Sequence, residues 1–140
     1  MMMRKTPVIK DKPMHIVSVY ETGTGNDSKT DVENIKRHYA MMMQLNDQKI
    51  PFRELYGSYK GKPERSLAFT GDRYKPLVDK IASQYNQDST ISIHPNGEAH
   101  LHRGGEKQHI GKWQEVSHMD ATSADGYSYD PKTKKYWIAK

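Results

Sequence analysis

The chain has 140 residues, which predicts a single domain, and its 34% hydrophobic content leaves a thin core. It contains no cysteine, which excludes disulfides, thiolate metal sites and cysteine nucleophiles. Its net charge of +5 suits nucleic acid or a merely basic surface, and because the basic residues are spread along the chain we favour the surface. There is no signal-peptide core and no apolar run long enough to cross a membrane. We therefore expect a soluble cytoplasmic protein with a loose N-terminal arm (1–13) and one domain (14–140).

The first elements predicted along the chain are a strand and a helix. The stretch "MHIVSVY" (14–20) alternates as a strand does, and the polar glycine loop "ETGTGNDS" follows it. Thr30 and Glu33 then form a capping box, behind which apolar residues recur at helical spacing to about residue 45. These apolar residues are Val32, Ile35, Tyr39 and Met42.

An extended hairpin and a second helix are predicted next. "PFRELYGSY" (51–59) is extended, "KGKP" turns the chain, and "RSLAFT" (65–70) returns with Leu67 and Phe69 on one face. Asp72 is placed to cap the following helix, and Pro76 fits only its first turn. The helical stripe consists of Leu77, Ile81 and Tyr85.

The second half of the chain predicts strands. "STISIHP" and "EAHLHR" form a hairpin, and a three-residue loop at 95–97 with a left-handed Gly97 pairs Ile93 with Ala99 and Ile91 with Leu101. Four polar residues would then share the sheet face away from the helices: His94, Glu98, His100 and His102. "KWQEV", "GYSYD" and "KYWIA" follow as short strands, with "DPKTKK" as a hairpin turn.

The predicted order is strand, helix, strand, strand, helix, strand and a β-rich tail. It indicates an α+β, ferredoxin-like (split βαβ) fold, in which an antiparallel sheet carries two helices on one face.

Two short motifs allow other chemistry. The "HLH" at His100 and His102 could bind a divalent metal and matches the His-hydrophobic-His signature of tyrosine-dependent nickases, although two exposed histidines on a polar strand are the simpler interpretation. The loop "ETGTGN" is glycine-rich after a strand, as phosphate loops are, but lacks the Lys-Ser/Thr of a Walker motif.

A co-linear set of elements resembles the bacteriophage S-adenosylmethionine (SAM) lyases, long called SAM hydrolases. "YNQD" (85–88) is an aromatic-x-Gln-acid element, "WQEV" (113–116) is an aromatic-Gln-Glu-Val element, and "YSYDPKTKKYW" forms an aromatic terminal hairpin. "LYGS" and a turn leading to an acid precede them. The resemblance covers roughly residues 14–140.

The resemblance implies cleavage of SAM to 5′-methylthioadenosine and L-homoserine lactone without metal or cofactor, in a PII-like trimer whose active sites lie between subunits. By position it implies catalytic roles for Glu64, Asp88 and Tyr56. It also implies substrate contacts, which would come from Tyr59, Ser66, Phe69 and Glu115. The turn before Glu64 is shorter than the family pattern.

The same resemblance implies depletion of the host's methyl donor, which counters restriction and methylation in the host cytoplasm. Three alternatives stay open: a SAM hydrolase that yields homoserine, a metal-dependent His-hydrophobic-His nickase, and a non-catalytic basic module that binds nucleic acid.

Overall fold

The computed structural model describes residues 12–20, 29–59, 61–87 and 89–140, with the backbone alone at 29–31 and 59. Its strands are β1 (Met14–Val17), β2 (Arg53–Tyr59), β3 (Lys62–Thr70), β4 (Thr90–Ile93), β5 (Glu98–Arg103), β6 (Glu106–Val116), β7 (Gly126–Asp130) and β8 (Lys135–Ala139). Its helices are α1 (Lys29–Asp47), α2 (Lys75–Gln84) and α3 (His118–Ser123). The N-terminal arm and the loop "ETGTGNDS" lie outside the described residues, apart from residues 12 and 13.

The strands close into one antiparallel barrel in the order β1-β3-β2-β7-β8-β6-β5-β4. The predicted ferredoxin-like open sheet is therefore wrong, although the order of the first six elements is as predicted. The β-rich tail causes the difference, because β5 and β6 extend the sheet beyond β4 while β7 pairs with β2 and β8 joins the two ends. Closure pairs both edges that an open sheet would leave bare.

Closure produces two hydrophobic cores on the two faces of the same strands. Side chains of β1 and β3 alternate, so that Val17 and Leu67 face the helices while Ile16 and Ala68 face the barrel interior. The helix-facing core also contains Val19, Met41, Leu45, Phe69, Val78 and Ile81. The interior core also contains Met14, Leu55, Ile93, Ala99 and Trp113.

The β4–β5 hairpin has the predicted register but the opposite orientation. Ile93 pairs with Ala99 and Ile91 with Leu101, and Gly97 has a φ of 93°. However, Ile93 and Ala99 point into the barrel, so the histidines of β5 lie on the outer face, which also carries the helices. The prediction that they face away from the helices is wrong, because the barrel interior supplies a second core that an open sheet lacks.

Helix α1 confirms the predicted element but presents an unexpected face. Its buried positions are Asn34, His38, Met41 and Leu45. Most of the predicted stripe points outward instead, with Val32 57%, Ile35 36% and Tyr39 45% exposed, while its last member, Met42, is partly buried against the helix-facing core. The side chain of Thr30, one half of the predicted capping box, lies outside the described residues.

Asp72 does not cap α2 as the sequence suggested. Tyr74 occupies the N-cap without a side-chain hydrogen bond, and a proline stands in the first turn of the helix. The Asp72 carboxylate instead lies 2.9 Å from Nε2 of His15, whose Nδ1 is 2.8 Å from Oγ of Ser92. His102 Nε2 joins the same hydroxyl at 3.0 Å, so this polar chain ties β1, β4 and β5 together.

Candidate functional site

The β2–β3 hairpin carries most of the predicted site residues and divides them between two faces. Gly57 pairs with Glu64 and Leu55 pairs with Ser66, and Leu55 belongs to the interior core. Glu64 and Ser66 are therefore on the interior-facing side of β3. Tyr56 pairs with Arg65 on the outer side. Within one chain the structure thus brings Glu64 together with Ser66 and separates both from the Tyr56 ring.

Glu64 is a carboxyl group in an unusual environment. It is only partly exposed, and burial alone raises its pKa, with no hydrogen bond or opposite charge from the described residues to offset it. Desolvated carboxyl groups without a partner are costly and concentrate at functional sites. Such a group favours a cationic ligand, because a positive charge would supply the missing partner.

Glu115 lies on the same interior row as Glu64. From strand to strand across the sheet, each residue of this row pairs with the next, in the order Glu64, Gly57, Ser128, Trp137 and Glu115. Four strand spacings separate its ends, about 19 Å along the curved sheet. Glu115 is half exposed and lies 3.6 Å from Nζ of Lys135, and the indoles of Trp137 and Trp113 stack at 6.3 Å beside it.

The outer side of the hairpin holds a polar cluster that the sequence did not indicate. We define the tyrosine–arginine cluster as His38, Tyr39, Glu54, Tyr56 and Arg65. Glu54 accepts a hydrogen bond from His38 Nε2 at 2.7 Å and one from the Tyr56 hydroxyl at 3.3 Å. Arg65 donates to the Tyr39 hydroxyl at 2.8 Å, and its guanidinium lies 4.7 Å from the centre of the Tyr56 ring. The register of the β2–β3 hairpin pairs Tyr56 with Arg65, and this pairing is the feature from which the cluster could have been found.

Burial sets the protonation of this cluster. It lowers the pKa of His38 even though Glu54 acts in the opposite direction, so His38 is neutral at pH 7. Burial, reinforced by the charge of Glu54, raises the pKa of Tyr56 above its ordinary 10.0. The phenol of Tyr56 is therefore a hydrogen-bond donor at physiological pH, not a phenolate.

The remaining predicted residues are scattered. Phe69 is fully buried in the helix-facing core, where its ring lies 6.0 Å from that of Tyr74. Asp88 and the side chain of Tyr59 lie outside the described residues; the backbone of Tyr59 pairs with Lys62 and Gly126.

A small cleft opens beside the Gln-acid element. It measures about 170 Å³, and its lining consists of Asp79, Ala82, Gln87, Ser89, Thr90, His102, Gly104 and Gly105. Sites for drug-sized ligands span roughly 300–1,000 Å³. One chain therefore offers here no more than part of a site for a nucleoside-sized molecule.

The histidines of the outer barrel face cluster without forming a metal site. The ring of His100 lies 5.0 Å from that of His94 and 5.2 Å from that of His109, and His109 contacts Glu98 at 2.6 Å. Burial lowers the pKa of both His100 and His102. Within the described ranges no three His, Asp or Glu side chains are arranged to hold a metal ion.

Within the described part of the chain, no helix is long and apolar enough to cross a lipid bilayer.

Comparison with protein families gives a match. The model of the S-adenosylmethionine lyase family matches residues 24–140, which is well over half of the chain. No curated protein is similar enough in sequence to count as a match.

Proposed function

The chain belongs to the S-adenosylmethionine lyase family and is a lyase that acts on SAM, and we propose that it cleaves SAM to 5′-methylthioadenosine and L-homoserine lactone. The observation that carries this proposal is the partly buried, uncompensated Glu64 on the inner side of β3. SAM carries a sulfonium and an ammonium group, so it offers the positive charge that this carboxyl group lacks.

The proposed reaction needs no general acid. One oxygen of the substrate's carboxylate attacks its γ-carbon, the new O–C bond closes a five-membered lactone, and the γ-carbon–sulfur bond breaks. The electron pair of that bond stays on sulfur, which becomes the neutral thioether of methylthioadenosine. The enzyme mainly has to fold the methionine arm into the reactive conformer, an effect worth up to about 7–11 kcal/mol in the best intramolecular cases. We propose that no metal or cofactor takes part.

The site residues follow from this chemistry. We propose that Glu64 pairs with the α-ammonium and that Asp88 is the second catalytic carboxylate, with Tyr56 facing the sulfonium. A neutral, hydrogen-bonded Tyr56 suits that role, since its ring can attract a cation without losing a proton. Further contacts to the substrate would come from Tyr59, Ser66 and Glu115; Phe69, which the resemblance also implied, is fully buried in the helix-facing core and contributes to packing there instead.

We propose a homo-oligomer, a trimer by the resemblance, whose active sites lie between subunits. Two features of the single chain support shared sites: Tyr56 and Glu64 are on opposite sides of their hairpin, and the cleft beside Gln87 is too small for SAM. A surface for the contact is available on α1, where Val32 and Met43 are 57% and 68% exposed.

We propose, from the resemblance alone, that the enzyme is made in the cytoplasm of a phage-infected host. There it would deplete SAM and so counter restriction and methylation.

The decisive experiment incubates the protein with SAM and EDTA and follows methylthioadenosine by chromatography. We expect turnover in EDTA, with Glu64→Gln and Asp88→Asn each at least about 100-fold slower, because each removes a charge that orients the substrate. The matched control is Glu98→Gln, which neutralises a carboxylate on the outer face of the barrel and should keep full activity.

Three outcomes would count against the proposal. Full turnover in both site variants would refute the site assignment. Homoserine as the first product, read before the lactone hydrolyses, would make the enzyme a hydrolase. DNA cleavage that EDTA abolishes, without SAM turnover, would favour the nickase.

A further inference from the structure

Glu54 lies at the centre of the tyrosine–arginine cluster, and the inference drawn from it rests on the proposed function of Tyr56. Its Oε2 accepts from His38 at 2.7 Å and is 3.7 Å from Nη1 of Arg65, while its Oε1 accepts from Tyr56 at 3.3 Å. Its side chain is only 17% exposed. A largely buried carboxylate that contacts three groups is held in one orientation. Its hydrogen bonds in turn fix the orientation of the groups that it contacts.

His38 is the fixed end of this arrangement. Its side chain is fully buried in α1, and the rings of Tyr20 and Tyr39 lie 6.2 Å and 5.9 Å from it. Since burial keeps the imidazole neutral and Nε2 carries its proton, the bond to Glu54 is a charge-assisted one. The buried Nδ1 atom has no hydrogen-bond partner among the described residues. Among the described residues the His38 imidazole therefore makes its side-chain hydrogen bond to Glu54 alone, and we infer that holding Glu54 is its role.

Arg65 contacts the rings of both exposed tyrosines of the cluster. Its guanidinium lies 5.5 Å from the ring centre of Tyr39 and 4.7 Å from that of Tyr56, both within cation–π range. The two tyrosines are 45% and 36% exposed, so a ligand can reach them. Without the negative charge of Glu54, Arg65 would place an unbalanced cation beside a ring that is proposed to face the cationic substrate.

We propose that Glu54 is a positioning residue: anchored by buried His38, its carboxylate fixes the Tyr56 hydroxyl and balances the charge of Arg65, so that the Tyr56 ring meets the sulfonium in one orientation. Glu54 does not touch the substrate in this role and acts through Tyr56.

A double-mutant cycle on SAM turnover tests that route. Glu54→Gln alone should lower kcat about 10-fold to 100-fold with less change in KM, because a misplaced group loses transition-state contacts. In a Tyr56→Phe background the same substitution should cost at least about fivefold less, because the hydroxyl that Glu54 holds is already gone and only the unbalanced charge of Arg65 remains. Equal costs in both backgrounds would overturn the proposal. Glu98→Gln is the matched control, since Glu98 also accepts from a histidine, His109, at 2.6 Å but in an exposed pair.

A tyrosine titration tests the same contact without enzyme activity. The charged or titratable groups facing Tyr56 are Glu54, Arg65 and Tyr39, and the net effect of Glu54 is to raise the pKa of the phenol. In protein labelled with ¹³C-tyrosine, Glu54→Gln should therefore shift the Tyr56 midpoint downward, and Glu98→Gln should leave it in place. An unmoved midpoint in Glu54→Gln would overturn the proposal.

The two readouts separate this proposal from the proposed function. A wild type without SAM turnover refutes the function, while the titration still decides whether Glu54 holds Tyr56. If Glu54→Gln does not fold, His38→Gln replaces it, because loss of the imidazole frees the Glu54 carboxylate from its anchor. It should lower kcat in the same Tyr56-dependent way, and a cost that is independent of Tyr56 would overturn the proposal.

Discussion

Glu64 is a residue whose burial destabilises the fold, and this energetic cost indicates that the residue serves a ligand. Its carboxyl group is desolvated on the inner side of β3, and none of the described neighbours compensates its charge. A protein with no use for such a group gains stability by replacing it. We therefore expect Glu64 to lower the stability of the free enzyme while it serves the bound one.

The residue-scale prediction is that Glu64→Gln stabilises the free protein in a pH-dependent way. Burial raises the pKa of Glu64 above its ordinary 4.5, so the contribution of Glu64 to the stability of the native protein is most favourable below pH 4.5 and falls as the pH rises through the higher folded-state pKa. Glutamine carries no charge, so Tm at pH 7 should rise by a few degrees, and the difference should vanish below about pH 4.5. Thermal melts across this range check it.

The control for these melts is the exposed Glu106. Glu106→Gln should shift Tm by less than about one degree at every pH, because surface substitutions cost little. A Glu64→Gln protein that is less stable than the wild type at pH 7 would contradict the interpretation of Glu64 as an uncompensated charge.

At the scale of elements, β6 connects the two halves of the barrel. Its first part pairs with β5 and its last part with β8, and the register between β5 and β6 shifts next to Ala99. Gly111 lies at this shift with a φ of 120°, and Lys112 exchanges two backbone hydrogen bonds with Lys140. The glycine lets the strand change partners, because the backbone of Lys140 passes directly over it.

The element-scale prediction is that Gly111→Ala destabilises the barrel. A Cβ at this position would lie 2.7 Å from the nitrogen and 2.8 Å from the Cα of Lys140, in a backbone conformation that side chains rarely adopt. Strain and overpacking together should cost roughly 2–4 kcal/mol, read from urea denaturation. Gly104→Ala is the control, since Gly104 has a φ of 57° but open space around it, and about 1 kcal/mol is expected. Equal losses in the two variants would show that the contact with Lys140 contributes nothing.

At the scale of the whole molecule, the surface of α1 is the least expected feature. The outward face of the helix exposes Val32, Ile35, Tyr39 and Met43, close to the tyrosine–arginine cluster that Tyr39 shares. A contiguous apolar stripe beside a candidate site is typical of a subunit contact. It would let a second copy add residues to the site.

The whole-molecule prediction is that Met43→Glu weakens the proposed trimer. A charge placed in an apolar contact should raise the dissociation constant at least about 100-fold, and light scattering should show a mass near that of one chain. Met119→Glu makes the same change on α3, where Met119 is 75% exposed, and should leave the assembly intact. An unchanged trimer in Met43→Glu, or a monomeric wild type, would contradict the prediction.

The sequence predicted the features that local patterns encode, namely the strand positions and the register of the β4–β5 hairpin. The pairing of Ile93 with Ala99 and the positions of β7 and β8 were correct, because hairpin registers follow from turns and alternation. Closure was missed because the pairing of Tyr56 with Tyr129 joins distant segments whose periodicity says nothing about their partners. On α1 the buried side includes the polar His38, so apolar spacing selected the outward stripe.

For the candidate site, the family resemblance selected Glu64 and Tyr56 from the hairpin. It could not indicate Glu54, because the importance of that residue comes from a histidine 16 positions earlier that folding brings to 2.7 Å.

Barrel closure also has a consequence for the order of events during synthesis. β2 is made early, yet its second neighbour, β7, begins only at residue 126. Until then the β2–β3 hairpin has one bare edge, and the interior core that contains Leu55 is open on that side. Pairings this distant in sequence make folding slow, and exposed edges recruit other chains. We therefore expect nascent chains that stop before residue 126 to be aggregation-prone and to need a chaperone. Once β7 and β8 are made, they pair the bare edges and this tendency to aggregate should disappear.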